Sequence, residues 1–161
     1  MTEKQPPRLR VFIENEAGSN IKHHYNEETF EELHTERVGA TYPYPYGFVP
    51  GTLAPDGDSA DCFVLTEQAF LTGKFVDCEP VALLEQTEGG DTDHNVLAVI
   101  VGEAKPDLAE AQRRISHFIE EFRADTPDQR GIAGRLLPVT DALAYVEECV
   151  DAQERSEGQP G

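Results

Sequence analysis

The sequence predicts an α+β chain in which several short strands build a small barrel with two main helices packed on its outside. Three observations lead there. Short apolar runs with strand character recur from residue 8 to residue 101, each bounded by Gly, Pro, Asn or Asp; two later segments switch to helical spacing; and neither a repeat nor a linker interrupts the 161 residues. A chain of that length suits one compact domain, so residues 1–161 are expected to form one, with loose termini at 1–7 and 153–161.

The elements follow in order. Arg8 to Glu14 alternates, with Leu9, Val11 and Ile13 on one face of a strand. After a turn at Ala17 to Asn20, Lys22 to Tyr25 and Thr29 to Leu33 are expected to pair as strands. Tyr42-Pro43-Tyr44-Pro45-Tyr46-Gly47 excludes helix interior and central strand, and is expected to run extended across a surface. Phe48 to Leu53 resumes a strand pattern, Pro55 to Ser59 reads as a turn, and Cys62 to Leu65 is a short buried run. Phe75 to Gln86 and Asn95 to Val101, separated by the polar loop Glu88 to His94, read as a hairpin of core strands. From Pro106, the spacing of Leu108, Ala111, Ile115, Phe118, Ile119 and Phe122 is helical, with the proline suited to the first turn. A second helix is expected from Thr140 as N-cap through Val150, and Gln153 to Gly161 loses all periodicity.

Charge narrows the function. Acidic residues outnumber basic ones 31 to 13, a formal net charge of -18, and such a surface repels phosphate backbones and anionic membranes. No nucleic-acid or membrane partner is expected, and cations are the natural ligands. Cys62, Cys78 and Cys149 are odd in number and lack CxxC spacing, so neither a disulfide framework nor a zinc site is signalled, and burial as small apolar residues is expected. The N-terminal residues lack a secretion signal's apolar core and no apolar run is long enough to span a bilayer, so a cytoplasmic location is expected.

Chemistry concentrates in Asp56-Gly57-Asp58-Ser59-Ala60-Asp61, where three carboxylates share a glycine turn that leads into an apolar strand. Their mutual repulsion would force protonation unless a counter-charge is present, and a divalent cation lets all three ionise. Hard oxygen donors select magnesium, manganese or calcium over zinc. An EF-hand loop is the obvious rival, and Glu67 does fall at its twelfth position from Asp56. The pattern fails at the sixth, which is Asp61 rather than glycine, and in the strand-like Phe63-Val64-Leu65 that follows.

These residues resemble the soluble family I inorganic pyrophosphatases, whose signature is an Asp-Gly-Asp-Pro-x-Asp turn before a short strand. Ser59 stands at the proline. The resemblance runs from the VFIE strand through Tyr42 to Gly47, the acidic loop Glu88 to Asp93 and the helix ISHFIEEFR. It implies a small closed, mostly antiparallel five-stranded β-barrel of OB-like form, hydrolysis of pyrophosphate to two phosphates by a metal-activated water, several Mg2+ ions per site with Mn2+ as a substitute, and a homo-oligomer of hexameric form. Carried over residue by residue, Asp56, Asp61 and Asp93 would be metal ligands, with Glu88 beside them in the acidic loop and Glu14 acting through water. Asp58 would generate or hold the attacking hydroxide; Lys22, Arg37 and Arg123 would hold phosphate, assisted by Tyr46 and Tyr42.

The chain departs from that pattern at His24, where the family has glutamate, at Glu88 for aspartate, Asn95 for lysine, Phe122 for tyrosine and Arg123 for lysine. The segment from Arg37 to Tyr42 is also short. Two further readings therefore stand beside the hydrolase: a catalytically degenerate protein that binds metal or phosphate, and a hydrolase of another phosphoanhydride such as a nucleotide.

Overall fold

The computed structural model describes residues 7–122, 124, 128 and 131–158. Arg123 and the ends at 1–6 and 159–161, expected to be loose, lie outside the described residues. In chain order the elements are β1 (Leu9–Asn15), β2 (Ile21–Tyr25), β3 (Glu32–Arg37), β4 (Tyr46–Val49), β5 (Ala60–Val64), β6 (Phe75–Glu88), β7 (Asp91–Thr92), β8 (Asn95–Ile100), α1 (Leu108–Phe122), β9 (Gly131–Pro138) and α2 (Val139–Glu157).

Five of these strands close on themselves. β1 pairs antiparallel with both β4 and β6, β4 with β5, and β8 with β6; β5 and β8 run parallel and complete the ring. The 14-residue β6 makes closure geometrically easy. Its first part pairs with β1, as Leu9 opposite Cys78, and its later part pairs with β8 on one side and β9 on the other, as Ala82 opposite Leu97 and Pro138. The expected barrel with two helices outside is therefore the observed arrangement.

Both faces of the ring are covered, which is why β5 and β8 read as unbroken apolar runs rather than alternating ones. Cys62, Val64, Val96 and Ala98 pack with Ala142, Tyr145, Val146 and Cys149 of α2. Their neighbours Phe63, Leu65, Leu97 and Val99 pack instead with Ala111, Ile115, Phe118 and Ile119 of α1. All three cysteines are free and buried.

Four local expectations need correction. The partner of β2 is Glu32–Arg37 rather than Thr29 to Leu33, because Asn26 to Glu31 closes a turn: the Asn26 side chain accepts the Glu28 and Thr29 amides, and Phe30 takes φ 62°. That strained backbone is held by the Phe30 ring, which packs against Phe12, Phe48 and Phe75. The Tyr42–Gly47 segment is not a surface strip. Tyr42, Tyr44 and Pro45 are buried, with Tyr42 against Phe118 of α1. α2 starts at Val139 with Pro138 as its N-cap, so Thr140 lies inside the first turn, and the helix continues to Glu157. Finally, β9 occupies a stretch in which no strand is expected.

The tightest backbone approach is at Gly47, opposite Ile13 in the β1–β4 ladder. A Cβ there would land on the Phe12 carbonyl oxygen, and two paired strands have no room to separate. Gly47→Ala is expected to cost about 3 kcal/mol of unfolding free energy, read as a lowered urea midpoint at unchanged slope.

Candidate active site

The ring brings together side chains that are far apart in sequence. Glu14 lies near the end of β1, Asp56 and Asp58 on the turn between β4 and β5, and Asp61 at the start of β5. Asp93 sits just before β8, and Tyr46 starts β4. Because Asp61 pairs in register with Asn95 across the parallel β5–β8 ladder, Asp93 is delivered to the same edge as the aspartate turn. Its amide donates to the Gln86 carbonyl at 2.9 Å, which fixes the approach. Asp56, Asp61 and Asp93 each present a carboxylate oxygen within 4.8 Å of the others.

Around them lies a cavity of about 680 Å³, lined among others by Glu14, Lys22, His24, Tyr42, Tyr46, Asp58, Glu88, Asn95 and Phe122. Most of the residues expected at the site are thus assembled. Lys22 on β2 points into it, its ammonium 5.4 Å from the Phe122 ring centre and 6.0 Å from that of Tyr46. Lys22 is the only Lys or Arg among the described residues lining this cavity. Tyr42 is buried, and its hydroxyl accepts the Asn15 side-chain amide at 3.2 Å. Asn95 donates to the Gln86 side-chain oxygen, so its amide is engaged with the cavity wall.

Arg37 is not among the lining residues. Lys22 pairs with Glu36, and Ile21 with Arg37; directly paired residues share a face and successive ones alternate. Arg37 therefore lies on the other face of the hairpin from Lys22 and His24, and it is exposed. Arg123 lies outside the described residues.

Other lining residues were not signalled by the sequence. His34 stacks on His24 with ring centres 4.2 Å apart. Glu27 accepts the Ser59 amide at 2.9 Å across 32 residues of sequence. Both sit on a hairpin whose local pattern carries no motif, and only the strand register brings them in.

The carboxyl groups show the strain of being gathered. Burial pushes Asp61 well above the usual aspartate range, and Asp93 and Glu14 add repulsion that Lys22 offsets only in part. Burial also pushes Asp93 up to about 6, with Asp56 and Glu88 adding to it, while its hydrogen bond with Asp61 works in the opposite direction. Glu14 is pushed up to about 8 by burial, opposed by Lys22 and reinforced by Glu27 and Asp58. Asp58 is raised by burial and by Asp56. A donor set of hard oxygens that cannot all ionise beside a single lysine fits a divalent cation, the partner that would release those protons.

The family model described as "Inorganic pyrophosphatase" matches residues 11–154. The chain belongs to the inorganic pyrophosphatase family. An inorganic pyrophosphatase of Saccharolobus solfataricus is 34% identical, covering 95% of this chain and 96% of its own. One from Synechocystis is 32% identical over 88% and 89%. Among solved structures, an inorganic pyrophosphatase from Coxiella burnetii superposes with TM-score 0.82 at 27% identity, covering 92% and 96% of the two chains. That of Thermus thermophilus gives 0.83 at 25%, covering 95% of each. Such relatives share the fold in which the carboxylates converge. No described helix is long and apolar enough to cross a membrane.

The raised carboxyl groups make a testable pH linkage. A carboxyl whose folded pKa lies above its unfolded value, as for Glu14 at about 8 against 4.5, stabilises the fold fully below the unfolded value. That contribution is lost as pH rises through the folded value. In metal-free protein, the Tm advantage of Glu14→Gln over wild type is expected to widen between pH 5 and about 8, and added Mg2+ to narrow it. A Tm difference independent of pH would contradict the assignment.

Proposed function

We propose that this chain hydrolyses inorganic pyrophosphate to two phosphates, with divalent cations, Mg2+ foremost, held by Asp56, Asp61 and Asp93. The observation that carries the reading is the convergence of these three carboxylates in the cavity that Lys22, Tyr46 and Asp58 also line. Glu88 and Glu14 line the same cavity, and the resemblance supports Glu88 as a further metal ligand and Glu14 as one acting through water. When bound, the cations supply positive charge that acidifies water and offsets the charge on the phosphates.

The remaining steps belong to the chain. Lys22 anchors one phosphate by charge and hydrogen bond. Tyr46, held protonated by burial and by Asp61, Asp93 and Glu14, donates its hydroxyl to a phosphate oxygen. Asp58, its carboxyl raised by burial and by Asp56, takes a proton from the attacking water. As that proton leaves, the water oxygen bonds to one phosphorus and the bridging P–O bond breaks. Its electron pair goes to the departing phosphate. The resemblance adds Arg123 as a further phosphate cation, Tyr42 as an assisting phosphate contact and Mn2+ as a substitute metal; Arg37, on the opposite face of the hairpin from Lys22, is left out of the site. The chain length supports one domain and the lack of an apolar signal a cytoplasmic location, while the resemblance alone supports a hexameric assembly.

Phosphate release from pyrophosphate, measured against Mg2+ concentration, tests the reading. Asp58→Asn and Asp61→Asn are each expected to lower kcat by roughly 10² to 10⁴ with circular dichroism unchanged. Wild-type rates in either variant would overturn the site. Metal binding without any phosphate release would instead mark a degenerate family member, and faster release from a nucleoside triphosphate a different phosphoanhydride. Separately, Lys22→Ala is expected to raise KM for pyrophosphate about tenfold or more, with a smaller change in kcat.

A further inference from the structure

The aspartate turn carries the metal-binding groups, and its backbone amides are almost all tied locally. Gly57 donates to the Ala54 carbonyl at 3.0 Å, Asp58 to the Asp56 side chain at 3.0 Å, and Ala60 to the Thr52 hydroxyl at 2.9 Å. Ser59 is the exception. Its amide donates at 2.9 Å to Glu27, which belongs to the turn between β2 and β3.

Glu27 is held rigidly enough to act as a brace. Its own turn is closed by the Phe30 amide on the Asn26 carbonyl at 2.7 Å and by the Asn26 amide on the Glu31 carbonyl at 2.9 Å. The Asn26 side chain accepts the amides of Glu28 and Thr29, just after Glu27, and Phe30 anchors the loop in a cluster of Phe12, Phe48 and Phe75. A half-buried carboxylate mounted in this way reaches across to one amide on a turn that must keep Asp56, Asp58 and Asp61 converged. Burial and its neighbours Asp58 and Asp56 raise the Glu27 carboxyl, while the Ser59 amide pulls it back down. The carboxylate is thus close to the acidic turn yet committed to its backbone.

We propose that Glu27 is a positioning residue: through the Ser59 amide it locks the aspartate turn to the β2–β3 hairpin, so that the metal-binding carboxylates and Lys22 keep a fixed relation. Glu27 sets metal affinity through the backbone of the turn. The inference rests on the metal-site reading above but does not require that pyrophosphate be the substrate.

The test is Mg2+ binding by calorimetry on the substrate-free protein, in a cycle of variants. Glu27→Ala should weaken Mg2+ about tenfold, the effect of losing one hydrogen bond to a charged group. Glu27→Gln keeps an oxygen acceptor and should restore most of that affinity. Ser59→Pro removes the donor and fixes φ, so adding Glu27→Ala to it should change Mg2+ binding by less than about twofold. Equal losses in both backgrounds, or a Glu27→Gln variant as weak as Glu27→Ala, would overturn the brace and make Glu27 a direct metal contact. Should Ser59→Pro fail to fold, hydrogen exchange at the Ser59 amide decides alone. Its protection must fall in Glu27→Ala and persist in Glu27→Gln, and protection unchanged in Glu27→Ala would sink the proposal. If no variant nor wild type binds Mg2+, the metal-site reading itself fails, a result distinct from failure of the brace.

Discussion

Carboxylates gathered in a half-buried cavity repel one another, and everything else at this site answers that repulsion. Two unit charges 4 Å apart cost about 4 kcal/mol at an effective dielectric of 20, and burial adds to that in raising both Asp61 and Asp93. Lys22 is the only described lining residue that opposes this field. A cavity with so many acids and so little internal compensation is stable as an assembled site only with charge imported from solution. Divalent cations are the economical form of that charge, because one ion bridges several oxygens where a lysine meets one or two.

The barrel holds the groups together against their repulsion. Each carboxylate is mounted on a backbone held by its neighbours: Glu14 at the irregularity between Ile13 and Asn15 in the β1–β4 ladder, Asp61 in β5, Asp93 on the short approach to β8. The parallel β5–β8 pair matters most, since it is what aligns the starts of two strands at one edge and so sets Asp61 beside Asp93. An antiparallel pair would put the start of one strand beside the end of the other. The single parallel contact in an otherwise antiparallel ring is therefore the topological origin of the carboxylate cluster.

What could be read from the sequence divides along the same physical line. The turn at Asp56 to Asp61 was legible because its ligands are local, three acids within six residues, and α1 because Leu108 to Phe122 keeps helical spacing over several turns. β9 was not legible: Gly131 to Pro138 has two glycines and two terminal apolar pairs, and it is a strand only because the long β6 offers a free edge. Tyr42 to Pro45 misled for a related reason. Prolines signal a segment outside regular ladders, yet they say nothing of depth, and α1 covers this one. Thr140 looked like an N-cap because its hydroxyl suits that role, but β9 runs directly into α2 and Pro138 takes the position. Glu27 and His34 were invisible because their places depend on the register of a two-stranded ribbon, which no local pattern determines. The same register turns Arg37 away from the face that carries Lys22.

The substrate side of the cavity shows how the departures from the family pattern cohere. Asn95, where the resemblance expects a lysine, is buried and its side chain is engaged with Gln86, so the wall there is closed by a neutral hydrogen bond. Phe122, where a tyrosine is expected, packs against Phe118 and Tyr42 and lies near the Lys22 ammonium instead of offering a hydroxyl. Both changes move protein-borne phosphate contacts into structural ones, and the long-range field makes the consequence larger. A chain of net charge -18 repels a free multiply charged anion, whereas the same anion already carrying divalent cations is nearly neutral and escapes most of that repulsion. A site that keeps Asp56, Asp58, Asp61 and Asp93 while losing phosphate contacts at Asn95 and Phe122 is therefore suited to a phosphoanhydride arriving as its metal complex, with metal affinity governing recognition as much as chemistry.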